Sequence, residues 1–196
     1  RIRTVKEKET NRIIRGFGYQ GGSMPGINFG APGFGKAYKD AVHKGRFAIN
    51  IGAWGECLPR KENFVEIDKS KTDVYGIPVL KINCSWGDNE LKLYEDAREQ
   101  AVEMLTAAGA QEVRKTGRPS TPGHCIHEIG TARMGSDRKT SVFNKYCQAH
   151  DVEKVFCMDG AVWVSSGCQN PTLTMMAITM RPCDYIVKEY AKNLRA

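Results

Sequence analysis

The chain is 196 residues long, 41% apolar and 26% charged, an ordinary globular composition with enough length to bury a real core in one or two small domains. Its formal net charge is +7, but Lys and Arg are dispersed without a basic stripe or interleaved aromatics, which argues against a nucleic-acid face. No run approaches ~18 apolar residues, so no membrane span is expected, and the seven cysteines, odd in number and without a C-x-x-C pair, argue against a disulfide framework or a zinc ribbon and lean to a reducing compartment.

The chain opens at Arg1-Ile2-Arg3-Thr4-Val5 with neither an initiator Met nor a leader pattern, and is expected to be a piece of a longer protein. Residues 1–15 are charged and weakly alternating, as in one strand. Gly16-Phe17-Gly18-Tyr19-Gln20-Gly21 formally matches G-x-G-x-x-G. A dinucleotide fingerprint needs a strand before it and a helix opening on its last glycine. Here Gly22, Pro25, Gly26, Gly30, Pro32 and Gly33 follow, so Gly16 to Gly35 is read as a loop wrapping over a pocket. Phe34 to Lys44 reads as a short helix and Arg46 to Trp54 as a strand. Asn63–Asp68 and Pro78–Asn83 read as an antiparallel pair joined by the turn-rich Lys69 to Gly76, with one face covered. Asp88 to Ala108 reads as a helix, capped by Asp88, closed by Gly109 and carrying a Lys92/Asp96 pair. Val113 begins an extended exit, and Gly117 to Gly123 is the natural internal boundary.

Further on, Lys154-Val155-Phe156-Cys157-Met158-Asp159-Gly160 reads as a short buried strand ending in an acid and a glycine. Asn170-Pro171-Thr172-Leu173-Thr174 reads as the start of a long helix, with Asn170 as N-cap and Pro171 at the first helical position. Leu173, Met176, Met180, Cys183, Val187, Tyr190 and Leu194 form an apolar stripe along it. Pro182 should kink this helix or end its first half. Strand, loop and a helix with an open N-terminus is a way to hold an electron-rich cofactor, because free N–H groups and the positive dipole end point at the ligand. An ordinary capped surface helix is the plainer alternative.

His127-Glu128-Ile129-Gly130-Thr131-Ala132-Arg133-Met134-Gly135, then His150-Asp151-Val152, then Asp159-Gly160, then Asn170 to Thr174 resemble, in order and spacing, the C-terminal signature of the glucose–methanol–choline (GMC) flavoprotein oxidoreductases. The resemblance covers roughly 122–196. Asp73 to Pro78 and Ala107 to Ala110 are similar to weaker features of that family's substrate domain. It implies an α+β chain: an antiparallel-sheet substrate domain over 1–118, then over 119–196 the catalytic segment with the closing strand and helix of a Rossmann-like FAD domain. The N-terminal FAD-binding Rossmann unit, with its glycine fingerprint, has no counterpart in this sequence.

The resemblance also assigns roles. His127 would be the base, since a histidine can take a hydroxyl proton near neutrality. Asn170 would be its partner, donating from its amide to the substrate oxygen. Asp159, Gly160, Asn170, Pro171 and Thr172 would contact FAD. Apart from what the resemblance assigns, His124 is read as lining the substrate pocket or orienting a neighbour, although its closeness to Cys125 and His127 also invites a metal reading, which lacks a second ligand cluster. His150 would be less critical, and Arg133 would make a structural ion pair. The expected activity is oxidation of a CH–OH group, of a sugar or polyol, with the electron acceptor open. The alternatives are a non-catalytic α+β binding module working through a partner, or a fragment of an NAD-type dehydrogenase.

Overall fold

The computed structural model describes residues 13–23, 32–45, 47–124, 126–190 and 192. The expected strand over 1–15, most of the glycine-rich loop after Ser23, and the C-terminal end of the apolar stripe at Leu194 lie outside them. The fold is α+β. Strand β1 (Phe17–Ser23) pairs antiparallel with β2 (Ile49–Gly55), and β3 (Phe64–Thr72) with β4 (Pro78–Asn83), as two separate two-stranded sheets. The helices are α1 (Gly35–Gly45), α2 (Asp88–Ala107) and α3 (Thr172–Tyr185). Two compact units divide the chain: residues 1–55 with 92–116, and 56–91 with 117–196. No described helix is long and apolar enough to cross a membrane.

In the first unit, β1 is a correction to the expected loop. The glycine-rich motif lies inside a strand, with Phe17 opposite Gly55 and Gly21 opposite Ile51. Glycine density reflects close packing there: a methyl group on Gly21 would run into the Asn50 carbonyl and sit 2.7 Å from the Ile51 Cα. Phe17 and Tyr19 project from one face of β1, their rings edge to face at 5.5 Å. That face meets α2. Phe17, Leu93 and Ala97 are buried together, and the Tyr19 hydroxyl donates to the Ala97 carbonyl at 2.7 Å.

Helix α2 starts differently from its expected cap. The Gly87 N–H donates to Glu90 Oε2 at 2.7 Å and the Leu91 N–H to the Gly87 carbonyl at 3.1 Å, which puts Gly87 at the cap and Asp88 inside the first turn. Burial pushes the Glu90 carboxyl up, but N–H donation from Leu58 and Gly87 outweighs it, and its pKa lies below the ordinary 4.5. Closure at Gly109 is as expected. Its N–H reaches Thr106 and the next N–H, Ala110, reaches Leu105, a Schellman arrangement. Asp96 accepts from the Gln100 amide at 2.6 Å.

In the second unit, β3 and β4 pair as expected, and the turn is tied by Asp73, whose Oδ1 accepts from Tyr75 and Ile77 N–H at 2.8 and 3.0 Å. The covered face is not found. Register places Val65 opposite Ile82 and Ile67 opposite Leu80, so one face is wholly apolar, yet Ile67, Leu80 and Ile82 are 61%, 64% and 64% exposed. The other face carries the Lys81–Glu66 pair at 2.7 Å. Around this hairpin, Asn63 and Ser85 exchange hydrogen bonds, and the Trp86 indole donates to Ser120 at 2.7 Å, which anchors the 117–123 loop.

Candidate functional site

The core of the second unit is Phe143, Cys147, Val162 and Trp163, with Ile129, Ala132, Met134, Cys157, Met158, Met175 and Ile178 packed against it. The first signature block contributes Ile129, Ala132 and Met134 to this cluster, and the other three directly adjoin Ala149, Met158 and Met175, which pack on it. The segment after His127 is laced onto the turn after Asp159: Gly130 N–H donates to the Gly160 carbonyl at 3.1 Å, Ala132 to Ala161 at 2.9 Å and Met134 to Val162 at 2.7 Å. Between them, 142–150 folds into a compact loop with Cys147 fully buried, tied to Cys157 through a backbone bond of 2.9 Å.

Residues 154–160 are not the expected strand. One isolated bridge joins Phe156 to Gln148, Val155 is exposed, and Asp159 ends the stretch by capping a single 3-10 turn, Gly160–Val162. Its Oδ1 accepts the Ala161 N–H at 2.7 Å and the Cys157 thiol at 3.4 Å. The periodic signal failed because exposed Lys154 and Val155 share no sheet partner long enough to make a ladder.

Helix α3 begins one residue later than expected. Pro171, buried, occupies the cap position with φ −88° and ψ −10°, and no side chain caps the helix. Asn170 is exposed and is not the cap. The first-turn N–H groups, from Thr172 on, have no acceptor within the helix. The packed face is also rotated from the expected stripe: Met175 and Ile178 meet the core, Pro182 is fully buried, and the Thr179 hydroxyl donates to the Met158 carbonyl at 3.2 Å. Leu173, Met176, Met180 and Val187 instead face outward, Leu173 at 79% exposure. Pro182 does not end the α-helix at once. The α pattern runs to Tyr185 and then widens into one π turn, Ile186–Tyr190.

His127 is half-buried and holds φ +69°, a left-handed conformation that non-glycine residues adopt at a cost of ~1–3 kcal/mol and that concentrates at functional sites. His124 is exposed, its N–H closing a turn onto Thr121 at 2.9 Å. His127 and Asn170 lie in the same compact unit but make no side-chain hydrogen bond to each other. Thr172 is exposed beside the open end of α3, whereas Gly160 is buried. His150 is structural: its Nε2 lies 3.2 Å from the Gly135 carbonyl and 3.1 Å from Ser141 Oγ. A carbonyl can only accept, so Nε2 carries the proton, and Ser141 donates onward to the Asp137 carbonyl at 2.7 Å. Arg133 makes no ion pair among the described residues, contrary to expectation; its carbonyl accepts from Val142.

Burial raises the Cys147 thiol pKa. Burial and then the Asp159 carboxylate do the same for Cys157, so both are protonated, poorly nucleophilic core groups. Among the described residues, no three His, Cys, Asp or Glu side chains gather as a metal site.

Residues 59–179 match the GMC oxidoreductase family, and the chain belongs to it. It is 31% identical over 93% of its length to a 2-methyl-1,2-propanediol dehydrogenase of Mycolicibacterium austroafricanum, covering 35% of that protein. It is 31% identical over 72% of its length to the fructose dehydrogenase large subunit of Gluconobacter japonicus, covering 25%, and 29% identical over 84% to the gluconate 2-dehydrogenase flavoprotein of Pantoea cypripedii, covering 28%. The chain therefore spans about a third or less of the length of these relatives.

Two features of the site went unannounced by residue pattern: the backbone ladder joining 130–134 to 160–162, and the steric closure at Gly160. The paired glycines Gly130 and Gly160 were the available signal, but nothing in spacing tells which segments will lie side by side.

Proposed function

We propose that this chain is the C-terminal part of a FAD-dependent oxidoreductase that oxidises a CH–OH group of a polyhydroxylated small molecule. In this reading it supplies the substrate domain over 1–118, and over 119–196 the segment that closes a Rossmann-like FAD domain. The observation that carries the reading is the strained left-handed backbone at His127, in a segment laced to the turn after Asp159 and packed through one core with α3. FAD, when bound, would supply the hydride acceptor for the substrate carbon. His127 takes the proton from the hydroxyl, and the Asn170 amide donates to the oxygen as negative charge grows there.

The donor set fits such a cofactor in part. Pro171 and Thr172 open α3 without a side-chain cap, leaving donors and a positive dipole end that suit an electron-rich ring edge. The Asp159 carboxylate is committed to its own turn, so its role is to shape the backbone the cofactor would meet. His124, exposed three residues before His127, is proposed to border the substrate pocket. The names of the relatives, with a diol, fructose and gluconate, support an alcohol or sugar substrate.

The test is anaerobic stopped-flow reduction of the flavin-loaded enzyme by a panel of diols, sugars and sugar acids, which needs no knowledge of the electron acceptor. One or more should bleach the flavin, and His127→Ala should keep the flavin yet slow bleaching by about 10²–10⁴-fold, the usual size of general base catalysis. A purified full-length protein without flavin would return the reading to a binding module. An unchanged rate in His127→Ala would move the base elsewhere, with His124 next in line.

A further inference from the structure

Gly160 stands where the absence of a side chain matters most to the proposed base. A methyl group built there would lie 2.8 Å from the Glu128 carbonyl oxygen, 2.8 Å from Met175 Cε and 3.3 Å from Ile129 Cγ2. These contacts are not equivalent. The Met175 methyl ends a flexible side chain and can swing aside. The Glu128 carbonyl is backbone and belongs to the residue directly after His127, and two residues further on the Gly130 N–H ties the same chain to the Gly160 carbonyl. His127 itself sits at φ +69°, a strained position that persists only where the surrounding structure over-determines it.

We propose that Gly160 is a positioning residue for His127. Its bare Cα lets the Glu128 carbonyl close onto the 3-10 turn, and the ladder of Gly130, Ala132 and Met134 then fixes the reach of the imidazole. A side chain at Gly160 would displace Glu128 by several tenths of an ångström and carry His127 with it. Small misplacement of a reacting group is costly even where folding survives. The inference rests on the reading of His127 as the base, and differs from a cofactor-contact role for Gly160 in what it leaves unchanged.

The experiment compares four flavin-loaded full-length enzymes: wild type, His127→Ala, Gly160→Ala, and the double variant Gly160→Ala/Met175→Ala. The double variant gives the new methyl room on the helix side and leaves the Glu128 carbonyl in its way. Both Gly160 variants should bind flavin with an unaltered reduction potential. Their limiting rate of flavin reduction should fall on the order of 10- to 100-fold, as misplacement by a fraction of an ångström to an ångström allows, while half-saturation by substrate moves within about twofold. A normal rate in His127→Ala removes the base reading itself. A slow His127→Ala with normal rates in Gly160→Ala overturns the positioning role alone. So does recovery in the double variant, which would make Met175 the contact that matters. Loss of flavin, a shifted potential, or a Gly160→Ala enzyme that does not fold overturns it too, by making Gly160 a cofactor or folding residue.

Discussion

At the scale of single residues, Asn170 offers the cleanest separation of roles. It makes no cap bond to α3, whose cap position is held by Pro171, so its side chain is dispensable to the helix. Asn170→Ser and Asn170→Asp should therefore both melt within about 0.5 kcal/mol of wild type, as exposed surface changes do. Both should lose flavin-reduction rate, Asp more than Ser, because a carboxylate opposes the charge that grows on the substrate oxygen. Thermal melts beside stopped-flow reduction would check this, and normal turnover in both variants would reduce Asn170 to a bystander. His127 and Asn170 were legible as candidates because the motif residues recur in order. The left-handed backbone at His127 was not, since histidine, though commoner there than most residues, adopts a positive φ in only a small share of cases. Nor was the engagement of Asp159 with Ala161 and Cys157, which depends on how a loop turns rather than on what precedes it.

Secondary-structure elements were legible where the signal was local. Helix α2 carries its own stop, and the β3–β4 pair its own turn at Asp73. The misses share one cause, tertiary context overriding local preference. Glycine-dense β1 is a strand because seven residues of β2 lie opposite it, and 154–160 is not one because its pairing with 147–149 stops at a single bridge. On α3 the apolar residues surround more of the helix than one stripe, so periodicity could not choose between the Met175/Ile178 face and the Leu173/Met176 face. The start of α2 gives a test at this scale. Glu90 has a folded pKa below 4.5, so its contribution is present above that range and is lost as pH falls through it. Glu90→Gln should cost on the order of 1 kcal/mol at neutral pH, the usual weight of a helix cap, and the gap to wild type should close on acidification below the carboxylate range. Chemical denaturation of both proteins at neutral and acid pH would show it, and a gap that persists in acid would mean the loss is one of packing.

For the whole molecule, the proposed division of labour predicts that these 196 residues alone bind FAD weakly or not at all. Titration followed by quenching of flavin fluorescence checks this, and tight stoichiometric binding would mean that the chain is a sufficient cofactor domain. The apolar face of β3–β4 bears on how such an experiment must be run. Val65, Ile67, Leu80 and Ile82 form a greasy patch on a two-stranded ribbon, whose outer edges are unpaired among the described residues. A protein with that surface is its own best glue. Its light scattering should climb with concentration, Ile67→Lys or Leu80→Lys should lower it without touching the fold, and in a cell the isolated chain would spend its life in the hands of chaperones.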